Sequence, residues 1–362
     1  MKKIRVLLWI IGAVLPQVVS AQENPTPGTF QTTAGLEPIE FGFRYDDNVY
    51  RSILPNGRFA DEIYLLNFGA NLGVRYDIFK GNLNYELGAD QYQLYSSLNN
   101  LKNDFELFLS VNPDPMSFYF KKENYYRNSL DFNFDYIDDD YLFGLAWAPA
   151  GPWNYEAQYR NFARQYYDMS DAVRSRDFID QGVQISVQRE VNEKFSMKLQ
   201  GNYNNRQFDR YIIEPDGITP SASVTQNDQT WTLLFNAHLY FENVLQDINF
   251  EAQRTNSNSY GFSNNVESVS WAGVVRPVSS LYLQLFFRLY FKNYDVTPLT
   301  NPDLQVGFVD EDSQDLLSIR TTWEWSPQWA VSLGVSRVRN ESTQPGEYYF
   351  KNILSAQIKR SF

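Results

Sequence analysis

From residue 281 to residue 292 the side chains alternate: Leu281, Leu283, Leu285, Phe287, Leu289 and Phe291 fall on one parity, and Tyr282, Gln284, Arg288, Tyr290 and Lys292 on the other. An extended strand points successive side chains to opposite faces and keeps two such sets apart, whereas a helix would scatter both round its circumference. The same period of two runs through residues 195–206, where Phe195, Met197, Leu199, Gly201 and Tyr203 interleave with Ser196, Lys198, Gln200, Asn202, Asn204 and Arg206. It returns at 231–241, 183–190, 153–160, 317–325 and 329–336. Strands are therefore expected near 38–46, 62–78, 82–95, 103–112, 116–127, 139–150, 153–165, 178–191, 194–206, 228–241, 246–255, 265–277, 280–293, 315–326, 329–340 and 347–362.

The connections alternate as well. Lys80-Gly81, Pro113-Asp114-Pro115, Gly151-Pro152, Asn192-Glu193, residues 242–246, Ser279-Ser280 and Ser326-Pro327-Gln328 are tight. Long connections fall between them, near 47–61, 96–102, 128–138, 166–177, 207–227, 256–264, 294–314 and 341–346. Short turns at one rim and long loops at the other, with an even strand count, are the pattern of a transmembrane antiparallel up-and-down β-barrel. The expected fold is all-β, a barrel of about sixteen strands within a range of fourteen to eighteen.

A soluble periplasmic sandwich or propeller also alternates, so composition has to separate the two. The chain carries 25 Tyr, 27 Phe and 8 Trp at a mean hydropathy of −0.45, aromatic yet polar. Past residue 21 it contains no apolar run of the roughly 20 residues that a membrane helix needs. Trp147, Trp153, Trp323, Trp325 and Trp329 gather beside the tight turns, where an interfacial aromatic girdle would stand; any one of them alone would read as core packing.

Residues 1–21 have the form of a secretory signal: a basic start with Lys2, Lys3 and Arg5, an apolar run from Val6 to Leu15, and the small-residue exit Val19-Ser20-Ala21. Cleavage is expected after Ala21, leaving a periplasmic N-terminal segment at 22–37 and the barrel at 38–362. The formal charge of −12 becomes more negative without that basic start, and nucleic acid is not an expected partner. The absence of cysteine excludes lipid acylation at a lipobox, disulfides and thiolate metal sites. The last strand ends on Phe362 with Ile358, Ala356 and Leu354 on its parity, interrupted by Arg360; this is similar to the signal read by the outer-membrane barrel-assembly machinery. The expected location is the outer membrane of a Gram-negative cell, with lipid and lipopolysaccharide as surroundings and both termini in the periplasm.

The segment Phe43-Arg44-Tyr45-Asp46-Asp47-Asn48-Val49-Tyr50-Arg51 resembles the opening of the outer-membrane β-barrel porin type 2 family, whose members commonly begin with a Tyr-Asp-Asp-Asn-type motif and often sit beside exopolysaccharide genes. The resemblance implies a role in surface-polysaccharide biology. Read without it, Asp46, Asp47 and Asn48 are a solvated strand end whose short polar side chains start a turn.

Catalysis in such a barrel generally calls for a histidine as base, and His238 is the sole one. Its parity, opposite to Trp231, Leu233, Phe235 and Ala237, points it into the lumen, where a serine is a conceivable neighbour. Nothing near it in sequence forms a nucleophile elbow, a metal-ligand spacing or an acid pair, so no enzyme, cofactor or metal site is expected. In the acidic stretch 294–314, Asp310, Asp312 and Asp315 lack the glycine and distal glutamate of a calcium loop.

The inward parity is charged in both signs: Arg44, Arg75, Glu86, Asp90, Glu106, Glu123, Glu156, Arg160, Arg164, Lys198, Arg206, Glu251, Arg288, Lys292, Arg320, Glu324 and Lys351. Two readings stand. These charges pair across strands because lipid excludes them; or Arg160, Arg164, Lys198, Arg206, Arg288, Lys292 and Arg320, beside Glu251 and Glu324, line a pore and attract an anionic solute such as a uronic-acid polymer. Tyr92, Tyr119, Tyr125, Tyr240, Tyr282 and Tyr290 would then offer stacking platforms for sugar rings. The expected function is a pore or export-linked component for polysaccharide or small anions; the alternatives are a non-conducting assembly barrel and a lumenal hydrolase using His238.

Overall fold

The computed structural model describes residues 30–48, 59–129, 135–166, 175, 177–217, 219–296, 315–340 and 349–361; the expected signal peptide, residues 22–29 and Phe362 lie outside them. Seventeen strand segments follow in order: β1 (Gln31–Leu36), β2 (Ile39–Asp46), β3 (Asp61–Tyr76), β4 (Phe79–Tyr92), β5 (Asn100–Val111), β6 (Met116–Ser129), β7 (Tyr136–Trp147), β8 (Trp153–Tyr166), β9 (Phe178–Asn192), β10 (Phe195–Ile213), β11 (Pro220–Phe241), β12 (Val244–Ser257), β13 (Asn264–Val278), β14 (Leu281–Tyr294), β15 (Asp315–Ser326), β16 (Trp329–Asn340) and β17 (Tyr349–Arg360). Each pairs antiparallel with its neighbours, and β17 returns to β2.

β1 and β2 are two halves of one strand. Both pair with β3, Gln31–Leu36 along its Ala70–Arg75 half and Glu40–Asp46 along its Asp61–Asn67 half. The break falls at Glu37-Pro38, where proline has no N–H to give the ladder. Glu37 N still donates to Gly69 O at 2.8 Å, and its carboxylate accepts from Asn71 Nδ2 at 2.6 Å. Gly69 makes room for this crossing, since a Cβ there would stand 3.1 Å from the Glu37 Cβ and 2.7 Å from Tyr85 O. The chain is thus a closed antiparallel barrel of sixteen strands, and its first strand begins seven residues before the expected 38.

The molecule is inside out relative to a soluble protein. Ile185, Leu333, Trp231 and Val335 are more than half exposed. Asp46, Asp61, Asp90, Ser186, Arg210 and Gln226 are buried, and few hydrophobic side chains are. An apolar belt of this extent facing outward cannot be left in water and is covered by lipid. That rules against the soluble sandwich and the propeller.

A second boundary shift concerns the expected loop 207–227. β10 and β11 continue through most of it as a protruding hairpin, with register irregularities between Gln207 and Ile213. Its tip is a turn in which Glu214 N donates to Thr219 O at 2.9 Å and Gly217 takes a φ of 74°. Polar residues on both faces hide this extension from a test of alternation: buried Arg210 donates to Gln226 Oε1 at 2.7 Å and lies 4.2 Å over Phe208.

The segment that resembles a family motif closes the barrel. Asp46 accepts from Lys351 Nζ at 3.1 Å. Asp47 accepts from Asn352 N at 2.6 Å and Nδ2 at 2.7 Å. Asn48 Nδ2 donates to Phe350 O at 3.1 Å. Together with the backbone bond from Asp47 N to Asn352 O at 3.2 Å, these bonds carry the β17–β2 seam past its last ladder pair, Ile353 with Asp46. The three polar side chains clasp the first strand to the last, beyond the turn-starting role expected of them. At the opposite rim Arg360 stacks 5.4 Å over Trp329, which accounts for an arginine on an apolar parity.

Candidate functional site

Directly paired residues on neighbouring strands share a face, so the register sorts inner wall from outer. Every charged residue expected in the lumen falls on the parity opposite to the apolar belt. The seven basic residues do not form one cluster, however. Arg160 and Arg164 on β8 and Lys198 and Arg206 on β10 make one group; Arg288 and Lys292 on β14 and Arg320 on β15 make another, with three strands between.

The β7–β10 group is neutralised in place. Arg164 faces Asp138 in the register and grips it with two bonds of 2.7 and 2.8 Å. Arg206 faces Asp180 and does the same at 3.0 and 2.7 Å. Arg160 reaches diagonally to Asp140, with Nε at 2.9 Å and a terminal nitrogen at 2.7 Å. Lys198 is 3.5 Å from Glu156. Two-pronged guanidinium–carboxylate contacts of this kind are strong and directional. Each guanidinium also lies on a ring, Arg160 over Phe162 at 5.0 Å, Arg164 over Tyr136 at 4.3 Å and Arg206 over Phe178 at 4.5 Å. The rings touch one another, with centroids 5.6 Å apart for Phe162 with Phe178 and for Phe178 with Phe208. This string of inward aromatics was not foreseen; its signal is a phenylalanine standing on the polar parity of an alternating strand.

The β14–β15 group is held loosely. Arg288 has Glu251 of β12 at 3.8 Å, and Glu251 also accepts from Ser268 Oγ at 3.0 Å. Lys292 lies 4.8 Å over the Tyr294 ring. Glu324 accepts from Tyr282 O–H at 3.3 Å. Arg320 makes no ion pair among the described residues, because its register partners are Gln284 and Gly334. Gly334 leaves its neighbourhood open, with Arg320 Nε 3.9 Å from where a Cβ would be. Ser318, Ser332, Ser336 and Ser355 complete that inward surface.

The expected sugar platforms are mostly tied down. Tyr119 lies flat across Gly144, where a Cβ would come within 2.0 Å of its ring. Its O–H donates to Glu156 Oε1 at 2.5 Å and accepts from Gln158 Nε2 at 2.8 Å. Tyr125 leans on Tyr136, Tyr240 on His238, and Tyr290 lies beneath Arg288. Tyr282 lies beneath Arg276, and Tyr92 faces Ile63 in the ladder.

His238 stands in a row with the residues a hydrolase would need: Ser196 faces it on β10 and Asp247 on β12. His238 Nδ1 contacts Asp247 Oδ1. Among the described residues no hydrogen bond joins His238 to Ser196, and the row lies within the β10–β11 and β11–β12 ladders, with a register irregularity at Phe195–Ser196 toward β9. A serine nucleophile needs a proton acceptor in hydrogen-bond contact, and among the described residues that contact is not made here. Among the described residues no group of three candidate ligands forms a metal site. Asp303, Asp310, Glu311 and Asp312 lie outside them.

No family model matches the chain, and no curated protein does. Solved structures of similar shape include OmpT of Vibrio cholerae, folded in vitro, at a TM-score of 0.52 and 10% identity, covering 94% of this chain and 99% of that one. The anion-selective porin of Comamonas acidovorans follows at a TM-score of 0.51 and 10% identity, covering 92% of this chain and 100% of that one. At such identities the likeness is one of fold: the chain shares the architecture of outer-membrane barrels.

Proposed function

We propose that this chain is an outer-membrane pore whose β14–β15 wall receives anionic solutes, with surface or exported polysaccharide carrying uronic-acid groups as the favoured class. The observation that carries this reading is the asymmetry of the inner wall. Arg160, Arg164 and Arg206 already hold aspartates, while Arg320, Lys292 and the loosely held Arg288 leave positive charge facing the lumen beside small hydroxyl side chains. A fixed positive wall in a water-filled barrel attracts anions. The resemblance of Tyr45-Asp46-Asp47-Asn48 to the porin type 2 opening supports the polysaccharide side of the reading. In the cell, the outer-membrane location would follow from secretion and from insertion by the barrel-assembly machinery through the Phe362 end, with lipopolysaccharide around the outer rim.

Single-channel conductance of the refolded mature chain in planar bilayers tests it. Steady conductance, blocked by an anionic oligosaccharide in the native chain and unblocked in the Arg288→Glu/Arg320→Glu double variant, is the expected result. A barrel that inserts and stays silent would overturn the pore and leave the non-conducting assembly component in its place.

A further inference from the structure

Two inward arginines at the outer end of the barrel are left without a partner. Arg44 stands two residues short of the outer end of β2 and Arg127 two short of that of β6, and Tyr92 ends β4 between them. Neither guanidinium makes a hydrogen bond or an ion pair among the described residues, and the Nε of each is buried with no acceptor. A buried N–H in that condition is unfavourable, which strengthens any contact that brings it an acceptor.

The register explains the isolation. Arg44 faces Ser355 and the buried Ile63, and Arg127 faces Lys102 and Tyr136, so the ladder sets no carboxylate opposite either one. The acids nearby are engaged elsewhere. Asp46 accepts from Lys351 Nζ at 3.1 Å and from Asn48 N at 2.9 Å. Asp61 accepts backbone N–H bonds from Glu62, Leu94 and Tyr95 at 2.7, 3.0 and 2.9 Å. Asp90 accepts from Lys102 Nζ at 2.6 Å, and Asp138 is gripped by Arg164. Asp104, a diagonal step from Arg127, faces Glu86 and Tyr125 and makes no bond to it.

The two arginines share a neighbour. Arg44, Ile63 and Tyr92 lie in one row across β2, β3 and β4, and both guanidiniums act electrostatically on the Tyr92 hydroxyl. A guanidinium presents paired N–H donors that match a carboxylate, and the tyrosine between them adds a flat apolar face with a polar tip. We infer that Arg44, Tyr92 and Arg127 form an anion-binding station at the outer mouth, which takes successive carboxylates of one uronic-acid chain with a sugar ring against Tyr92. A polymer carries its charges at intervals, so cations set apart on different strands suit it better than they suit one small anion. The choice of solute rests on the pore reading above. The station adds a second stop on that path, with only β16 and β17 between the strand of Arg320 and that of Arg44.

Calorimetric titration of the refolded mature barrel in detergent, with trigalacturonate, with the neutral trisaccharide maltotriose and with inorganic phosphate, tests the station. Saturable binding of trigalacturonate is expected, weakened on the order of tenfold in Arg44→Gln/Arg127→Gln and less in Arg44→Lys/Arg127→Lys, which keeps the charge and loses the paired donors. A measurement on the native chain needs no variant to fold: bound trigalacturonate should shield Arg44 and Arg127 from phenylglyoxal, read by mass spectrometry. Unchanged affinity in the glutamine variant, or equal modification with and without the sugar, would overturn the station. Maltotriose binding as tightly would reduce it to stacking, and phosphate binding as tightly would make it a small-anion site; either overturns the polymer assignment. Because binding is read without current, the two proposals fail separately. A silent barrel that binds through Arg44 and Arg127 overturns the pore and keeps the station, and a conducting barrel whose glutamine variant binds like the native chain does the reverse.

Discussion

Two stretches of the inner wall carry the same kinds of residue and behave differently. On β7–β10 Arg160, Arg164 and Arg206 each meet an aspartate on the adjacent strand, directly opposite or one diagonal step away, and are locked there. On β14–β15 the positions opposite Arg320 are Gln284 and Gly334, and those opposite Arg288 are Ser270 and Leu316. Parity decides which face a charge takes. The residue across the ladder decides whether that charge stays available. The first wall is paired charge to charge; on the second, Arg320 makes no ion pair among the described residues, and it is this wall that we propose as the receptive one.

The largest effect that would sharpen this contrast is on stability. Asp138→Ala strands Arg164, which is 29% exposed against 12% for its partner, and is expected to cost about 1–3 kcal/mol, read as a lower urea midpoint for the barrel in lipid vesicles. An unchanged midpoint would mean that the paired wall is not a rigid element. Next comes selectivity: Arg288→Glu with Arg320→Glu should lower the anion-to-cation permeability ratio on the order of tenfold, equivalent to about 1.4 kcal/mol, measured as a reversal potential across a salt gradient. The matching change on the other wall, Arg160→Gln with Asp140→Asn, should leave that ratio nearly unmoved, and an equal shift from both pairs would erase the distinction.

Smaller again is the closure clasp. Asp47→Ala removes both bonds from Asn352 and should destabilise the barrel by about 1 kcal/mol, with faster amide exchange confined to the outer end of the β17–β2 seam. Smallest is Arg320→Gln, which breaks no ion pair among the described residues and should change stability by less than about 0.5 kcal/mol. A large loss there would reveal a partner and remove Arg320 from the receptive wall.

Strand order, inward parity and the placing of tight turns were legible in the chain because each depends on spacing between near neighbours. Alternation in residues 281–291 is enough to say which side of β14 meets lipid. The extension of β10 and β11 past residue 207 was not legible, since a hairpin standing clear of the membrane has no apolar face to reveal it. The early start at Gln31 was hidden by Pro38, which reads as an end when the ladder is interrupted only between Leu36 and Glu40. Asp46, Asp47 and Asn48 drew notice as a motif, yet their partners, Phe350, Lys351 and Asn352, lie at the other end of the sequence.

The sequence by itself determined an antiparallel barrel of about sixteen strands, within a range of fourteen to eighteen, and the two faces of its wall, because these follow from the period of the side chains and the lengths of the turns. Only the tertiary structure decided which charges are spent on one another and which still face the lumen. It also decided that Asp46, Asp47 and Asn48 of the first strand are held by Lys351, Asn352 and Phe350 of the last. Both outcomes depend on register between strands, and register is a relation between side chains that one strand's pattern does not contain.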